Sequence, residues 1–102
     1  MSKSILQNCE DGRYCFFCKR NGQGEPLDKH HVFGGAYRKK SEHYGLWVYL
    51  CHSSCHESGE MAVHRNAKVD DALKAWAQRR AMKKFGWDKT GFRIEFGKNY
   101  TD

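Results

Sequence analysis

The sequence is short of the material for a generous core: only 39% of its 102 residues are apolar, and it holds a single proline, Pro26. Its mean hydropathy is -0.87. No apolar run approaches the ~20 residues that cross a bilayer, and the stretch from Met1 to Cys9 lacks the long apolar segment of a secretory signal. These absences argue against a membrane partner and point to a cytoplasmic protein. Repeats, low-complexity tracts and Pro/Gly/Ser-rich linkers are also missing, so residues 1–102 read as one domain rather than two. Acidic residues are the scarcer charge, 12 against 18 Lys and Arg, and the resulting +6 suits a polyanionic partner.

Local patterns divide the chain into an arm, a core and a helical extension. Residues 1–13 have little periodicity and read as a loose arm. Leu27 to Phe33 is a short strand stopped by Gly34 and Gly35, and Ala36 to Tyr44 holds a helical turn ended by Gly45. Leu46 to Leu50 is wholly apolar or aromatic, the pattern of a buried strand, and it delivers Cys51 at its end. A short helix from Ser53 or Ser54 carries Cys55 and His56 as far as Gly59. From Asn66 to Phe85 the row Leu73, Ala77, Ala81, Phe85 predicts the longest helix, with Gly86 as its stop. The alternation of Phe92, Ile94 and Phe96 permits a strand, but their spacing after Thr90 favours a terminal helix. The fold class is therefore α+β, with residues 14–66 as core and 67–102 as a helical extension.

Five cysteines is an odd number, and reducing conditions disfavour a disulfide framework. Cys15-x-x-Cys18 and Cys51-x-x-x-Cys55 instead supply two close pairs of thiols, the arrangement that cages a tetrahedral structural Zn²⁺ between loops distant in sequence. The three-residue spacer of the second pair leaves room for His52 or His56 to replace one sulfur. Cys9 lies outside both pairs. Among the histidines, His30 and His31 are adjacent on a strand and face opposite ways, so one can bind a metal while the other stays free as a base. His56 and His64 complete the cluster. A hydrolytic phosphodiester site needs a divalent ion beside a base that titrates near neutrality, and imidazole is that base. His43 and His52 read as ordinary surface or core residues.

At Cys15-Phe-Phe-Cys18, His30-His31-Val32, Leu50-Cys51 and Cys55-His56 the sequence resembles the HNH endonucleases of the ββα-metal, or His-Me finger, group. It is most similar to their small zinc-bearing versions encoded by phages and prophages. The resemblance covers residues 13–66 as motif and the rest loosely. It implies a zinc-stabilised, treble-clef-like ββα-metal unit. It further implies that His31 is the general base, His30 and His56 are ligands of the catalytic ion, and His64 is an additional ligand or phosphate contact. That ion would be Mg²⁺, with Mn²⁺, Ni²⁺ or Zn²⁺ as softer alternatives suited to imidazole. The substrate implied is DNA, with RNA not excluded and a phage protein as a possible partner. The family's middle Asn has no counterpart: Gly45 and Leu46 occupy its neighbourhood, and Asn66 comes too late. His31 would then be oriented by a backbone carbonyl or by Glu42.

Two basic groups are candidates for gripping nucleic acid. Arg38, Lys39 and Lys40 lie between the strands, and Arg79, Arg80, Lys83 and Lys84 fall within two turns of the long helix, although cations near a helix C-terminus also suit a solvated face. Nothing in these residues reads base sequence, so structure-selective or nonspecific cleavage is expected. A noncatalytic zinc module that binds nucleic acid or a protein explains the cysteines and charge without using the histidines together.

Overall fold

The computed structural model describes residues 3–101. β1 (Leu27–His31) and β2 (Trp47–Cys51) form a two-stranded antiparallel sheet, with Leu27 opposite Cys51 and His31 opposite Trp47. The chain order is β1, a 3-10 turn (Gly35–Tyr37), α1 (Arg38–Tyr44), β2, a wide helical turn (His52–Glu57), α2 (Ala67–Phe85) and α3 (Lys89–Phe96). This is a small α+β architecture. No helix among the described residues is long and apolar enough to cross a membrane.

The connection between the strands is tightly fastened. Ser41 on α1 is fully buried; its hydroxyl donates to the Phe33 carbonyl and accepts from the Phe33 N–H, closing the loop after β1. β1 stops at His31, two residues short of the run expected from sequence, because Val32 and Phe33 turn inward as core residues. α1 ends at Gly45 with φ 72°, where a Cβ would meet the Lys3 carbonyl.

That contact belongs to a feature the sequence reading missed. The expected loose arm is packed along the outer edge of β2. The Ile5 N–H donates to the Gly45 carbonyl at 2.9 Å, and the Ser4 hydroxyl donates to the Trp47 carbonyl at 2.6 Å. Buried Gln7 accepts from the Tyr49 N–H at 2.9 Å while its amide donates to the Tyr14 carbonyl. The Phe16 N–H then takes the Tyr49 carbonyl at 2.8 Å. An irregular segment thus satisfies the β2 edge in place of a third strand. With a cover on each face and edge, a continuous apolar β2 follows.

α2 begins where Asn66 accepts from the N–H groups of Lys68 and Val69, and Leu73, Ala77 and Ala81 face the core as the row predicted. Phe85, the last member of that row, is exposed at the helix end but meets Tyr44 edge-on and packs at a tilt against Trp87. The terminal segment is helical, capped by Asp88 rather than Thr90, and α3 buries Phe92 and Phe96 against Phe33.

Candidate functional site

The four paired cysteines converge. The Sγ atoms of Cys15, Cys18, Cys51 and Cys55 all lie within 4.8 Å of one another, so the set could hold a metal ion such as zinc. The edge of a tetrahedral Zn–thiolate cage is about 3.8 Å, which fits that spread. Lys19, at φ 68°, turns the chain after Cys18, and the Cys18 N–H points at the Cys15 sulfur at 3.4 Å. Burial opposes ionisation of Cys15, but the backbone N–H groups of Cys18 and Cys51 outweigh it and bring its thiol down to about 7. Burial and the neighbouring thiols push Cys51 up to about 12, and Cys55 is raised in the same way. Four thiolates this close repel one another, and a divalent cation is what removes that penalty. Cys9 stands apart from the cluster.

Across the sheet a second cluster forms from three separate segments. His30 comes from β1, His56 from the wide turn after β2, and His64 from the loop leading to α2. The segments are laced together: the His64 N–H donates to the His56 carbonyl and the Val63 N–H to the Cys55 carbonyl. The short helix expected to carry Cys55 and His56 is present as a π-type turn with a Ser58 to Ser53 hydrogen bond. Glu25 caps it, accepting from the N–H groups of Ser53 and Ser54 at 2.6 and 2.7 Å.

Ring centroids of His30 lie 5.1 Å from His56 and 5.4 Å from His64, and the Nε2 atoms of His56 and His64 are 3.0 Å apart. Two imidazoles binding one ion with bonds of about 2.0–2.1 Å have nitrogens roughly 3 Å apart, so the spacing fits a shared ion. His30 is 6% exposed, and its Nε2 has no hydrogen-bond partner among the described residues. Burial, then the neighbouring His56 and His64, hold it neutral by driving its pKa down to about 3. With the buried, neutral His30 offering an unpartnered nitrogen beside the other two rings, the three histidines could hold a cation.

Asp28, two residues before His30 on the same face of β1, supplies the orienting carboxylate. One oxygen, Oδ2, takes the Nδ1 of His56 at 2.8 Å and the Nδ1 of His52 at 2.7 Å, leaving the His56 Nε2 to face the cluster. Burial works against the Asp28 charge, but these two hydrogen bonds keep its pKa below the ordinary value, and the same carboxylate raises that of His52. His52 is an exposed surface residue, as read from sequence, and it shares the orienting carboxylate with His56. Asp28, His56 and Glu57 also lie close enough to be ligands, but that set uses the His56 nitrogen already taken by Asp28.

His31 stands outside the cluster, as strand alternation requires, yet it lines the same cleft of about 530 Å³. Glu42 on α1 meets its Nε2 at 2.9 Å, and Lys29 reaches the same Glu42 oxygen at 2.6 Å. Of the two braces left open by the sequence, the carboxylate is the one present. The hydrogen bond from Lys29, then that from His31, keeps Glu42 ionised below the usual range.

The expected nucleic-acid contacts divide. Arg38 lines the cleft, whereas Lys39 is exposed and does not. Lys40 is turned to α3, where it donates to the backbone carbonyl and the carboxylate of Glu95. Arg79, Lys83 and Lys84 are exposed on α2 away from the cleft lining, and Arg80 lies over Trp76 beside a second cleft under the N-terminal segment. Lys29 and Lys74 line the histidine cleft and were not singled out by sequence. Lys74 was lost among the many charges of α2, whose phase relative to the sheet decides which of them face inward.

Compared with family models, with curated proteins and with solved structures, the chain has no significant match to any.

Proposed function

We propose that the chain is a metal-dependent endonuclease of the HNH kind. In this reading it is a ββα-metal, treble-clef-like unit braced by structural Zn²⁺ that hydrolyses phosphodiester bonds in DNA without reading base sequence. The observation that carries the proposal is the division between neighbouring histidines. His30 is buried, neutral and aimed at His56 and His64, while His31 faces the same cleft outside that cluster with a carboxylate behind it.

The roles follow from hydrogen-bonding capacity. Glu42 accepts from the Nε2–H of His31, which leaves Nδ1 as the lone-pair nitrogen able to take a proton from the attacking water. The carboxylate also stabilises the imidazolium that results. Asp28 fixes the tautomer of His56, and the backbone ties between residues 55–56 and 63–64 hold its neighbour in register. A divalent cation held by His30, His56 and His64 would polarise the phosphate and stabilise the departing 3′ oxygen. Three imidazoles favour Mn²⁺, Ni²⁺ or Zn²⁺ over Mg²⁺ there. Arg38 at the cleft supplies charge for the flanking backbone.

The test is plasmid cleavage with each of those four ions. His31→Ala should keep the fold and bound zinc while losing roughly 100-fold or more in rate. A His31→Ala protein that cuts as fast as the parent refutes the base assignment. Binding without cleavage by any ion would favour the noncatalytic zinc module.

A further inference from the structure

Residues 98–101 follow α3 and return across α2 to the mouth of the histidine cleft. They are held there by Gln78, a fully buried polar side chain in the middle of α2. Its amide donates to the Asn99 side-chain oxygen at 2.9 Å, and its carbonyl oxygen accepts the Tyr100 N–H at 2.7 Å. A glutamine in a helix core is costly unless both ends of its amide are used, and here both are used on this one segment. The segment is therefore docked in a defined place.

Docking places the Tyr100 ring in the cleft wall, packed on Phe33 at 5.3 Å, two residues beyond His31. Two ammonium groups from different elements gather on that ring: Lys74 Nζ of α2 at 5.6 Å from its centroid and Lys98 Nζ at 4.9 Å. Asp70 holds Lys74 from one side at 2.8 Å, which leaves other N–H groups of that ammonium for a ligand. Lys98 is exposed. Tyr100 and Lys74 line the cleft, and Lys98 shares the same ring, so both ammonium charges are tied to one residue of the cleft wall.

We propose that Tyr100 is a positioning residue that sets Lys74 and Lys98 as a two-point grip on a backbone phosphate, the one neighbouring the phosphate at the histidines. Gln78 anchors the strap. The assignment rests on the nucleic-acid reading above but not on cleavage, so it is tested by binding alone. The zinc-loaded protein would be titrated into a fluorescent DNA duplex, without added catalytic ion, at salt from about 50 to about 200 mM.

Replacing both lysines, Lys74→Gln with Lys98→Gln, should reduce the slope of log affinity against log salt by about 0.9, since the two grip a single phosphate and each phosphate contact contributes roughly that much. Tyr100→Leu should weaken binding about fivefold and Tyr100→Phe should restore it, because the ring and not the hydroxyl gathers the cations. A merely structural Tyr100 would change the melting temperature and leave the salt slope alone. An unchanged slope in the double lysine variant overturns the grip, even where the enzyme still cuts. A reduced slope in a protein that cuts with no ion supports the grip and sinks the nuclease. Absence of binding by the parent protein overturns both.

Discussion

Replacing Gln7 by Leu isolates the contribution of the segment that seals β2. Gln7 is 6% exposed and makes two hydrogen bonds to backbone groups, accepting from the distant Tyr49 and donating to Tyr14. Leucine has a similar volume and no polar atoms, so the substitution leaves one N–H and one carbonyl without partners. Each orphaned buried group costs roughly 1–3 kcal/mol, and partial access of water to the half-buried Tyr49 favours the lower end, for a sum of about 2–4 kcal/mol. A domain of this size loses about 4–8 °C in melting temperature per kcal/mol, which predicts a fall of at least about 8 °C. Urea denaturation and thermal melts of the zinc-loaded proteins measure it. A loss below about 0.5 kcal/mol would mean that the segment detaches freely and that β2 does not depend on it.

Three further outcomes follow from the two clusters. Removing metal with a strong chelator, or substituting Cys51→Ser, should abolish cooperative melting, since four clustered thiols supply much of what a thin core lacks; an unchanged melt by circular dichroism would refute this. Asp28→Asn should lower affinity for an ion added at the histidines by about 10–100-fold with zinc content intact, read by calorimetry, and unchanged affinity would deny Asp28 its orienting role. His30 is held neutral down to about 3 while the unfolded chain titrates near 6.5, so the folded state binds fewer protons between those values. Its stability is complete above pH 6.5 and falls by about 1.4 kcal/mol per pH unit below it; His30→Gln should flatten that fall in urea midpoints, and parallel curves would refute it.

Sequence was most informative where one local pattern determined the outcome. The apolar run of β2, the capped row of α2 and the opposed faces of His30 and His31 needed only periodicity, and the structure has them. The cysteine cluster was readable because two close pairs of thiols have the spacing of metal ligands. What escaped depended on tertiary placement. Gln7, Gln78 and Glu25 look like solvent residues in the sequence, yet each binds backbone atoms of a distant segment. Asp28 is unremarkable until the turn after β2 brings two histidines to a single oxygen. The charges of α2 were legible as a group but not by direction: Lys74 reaches the cleft, while Arg80 belongs to another surface.

The packing of residues 4–7 and 98–101 decides where a label can be attached without harm. A bulky group on Ser4 would break its bond to the Trp47 carbonyl, and one on Asn99 would displace the segment from Gln78. The exposed bend at Gln23 and Gly24 contacts neither cluster, and a dye or short epitope can be inserted there.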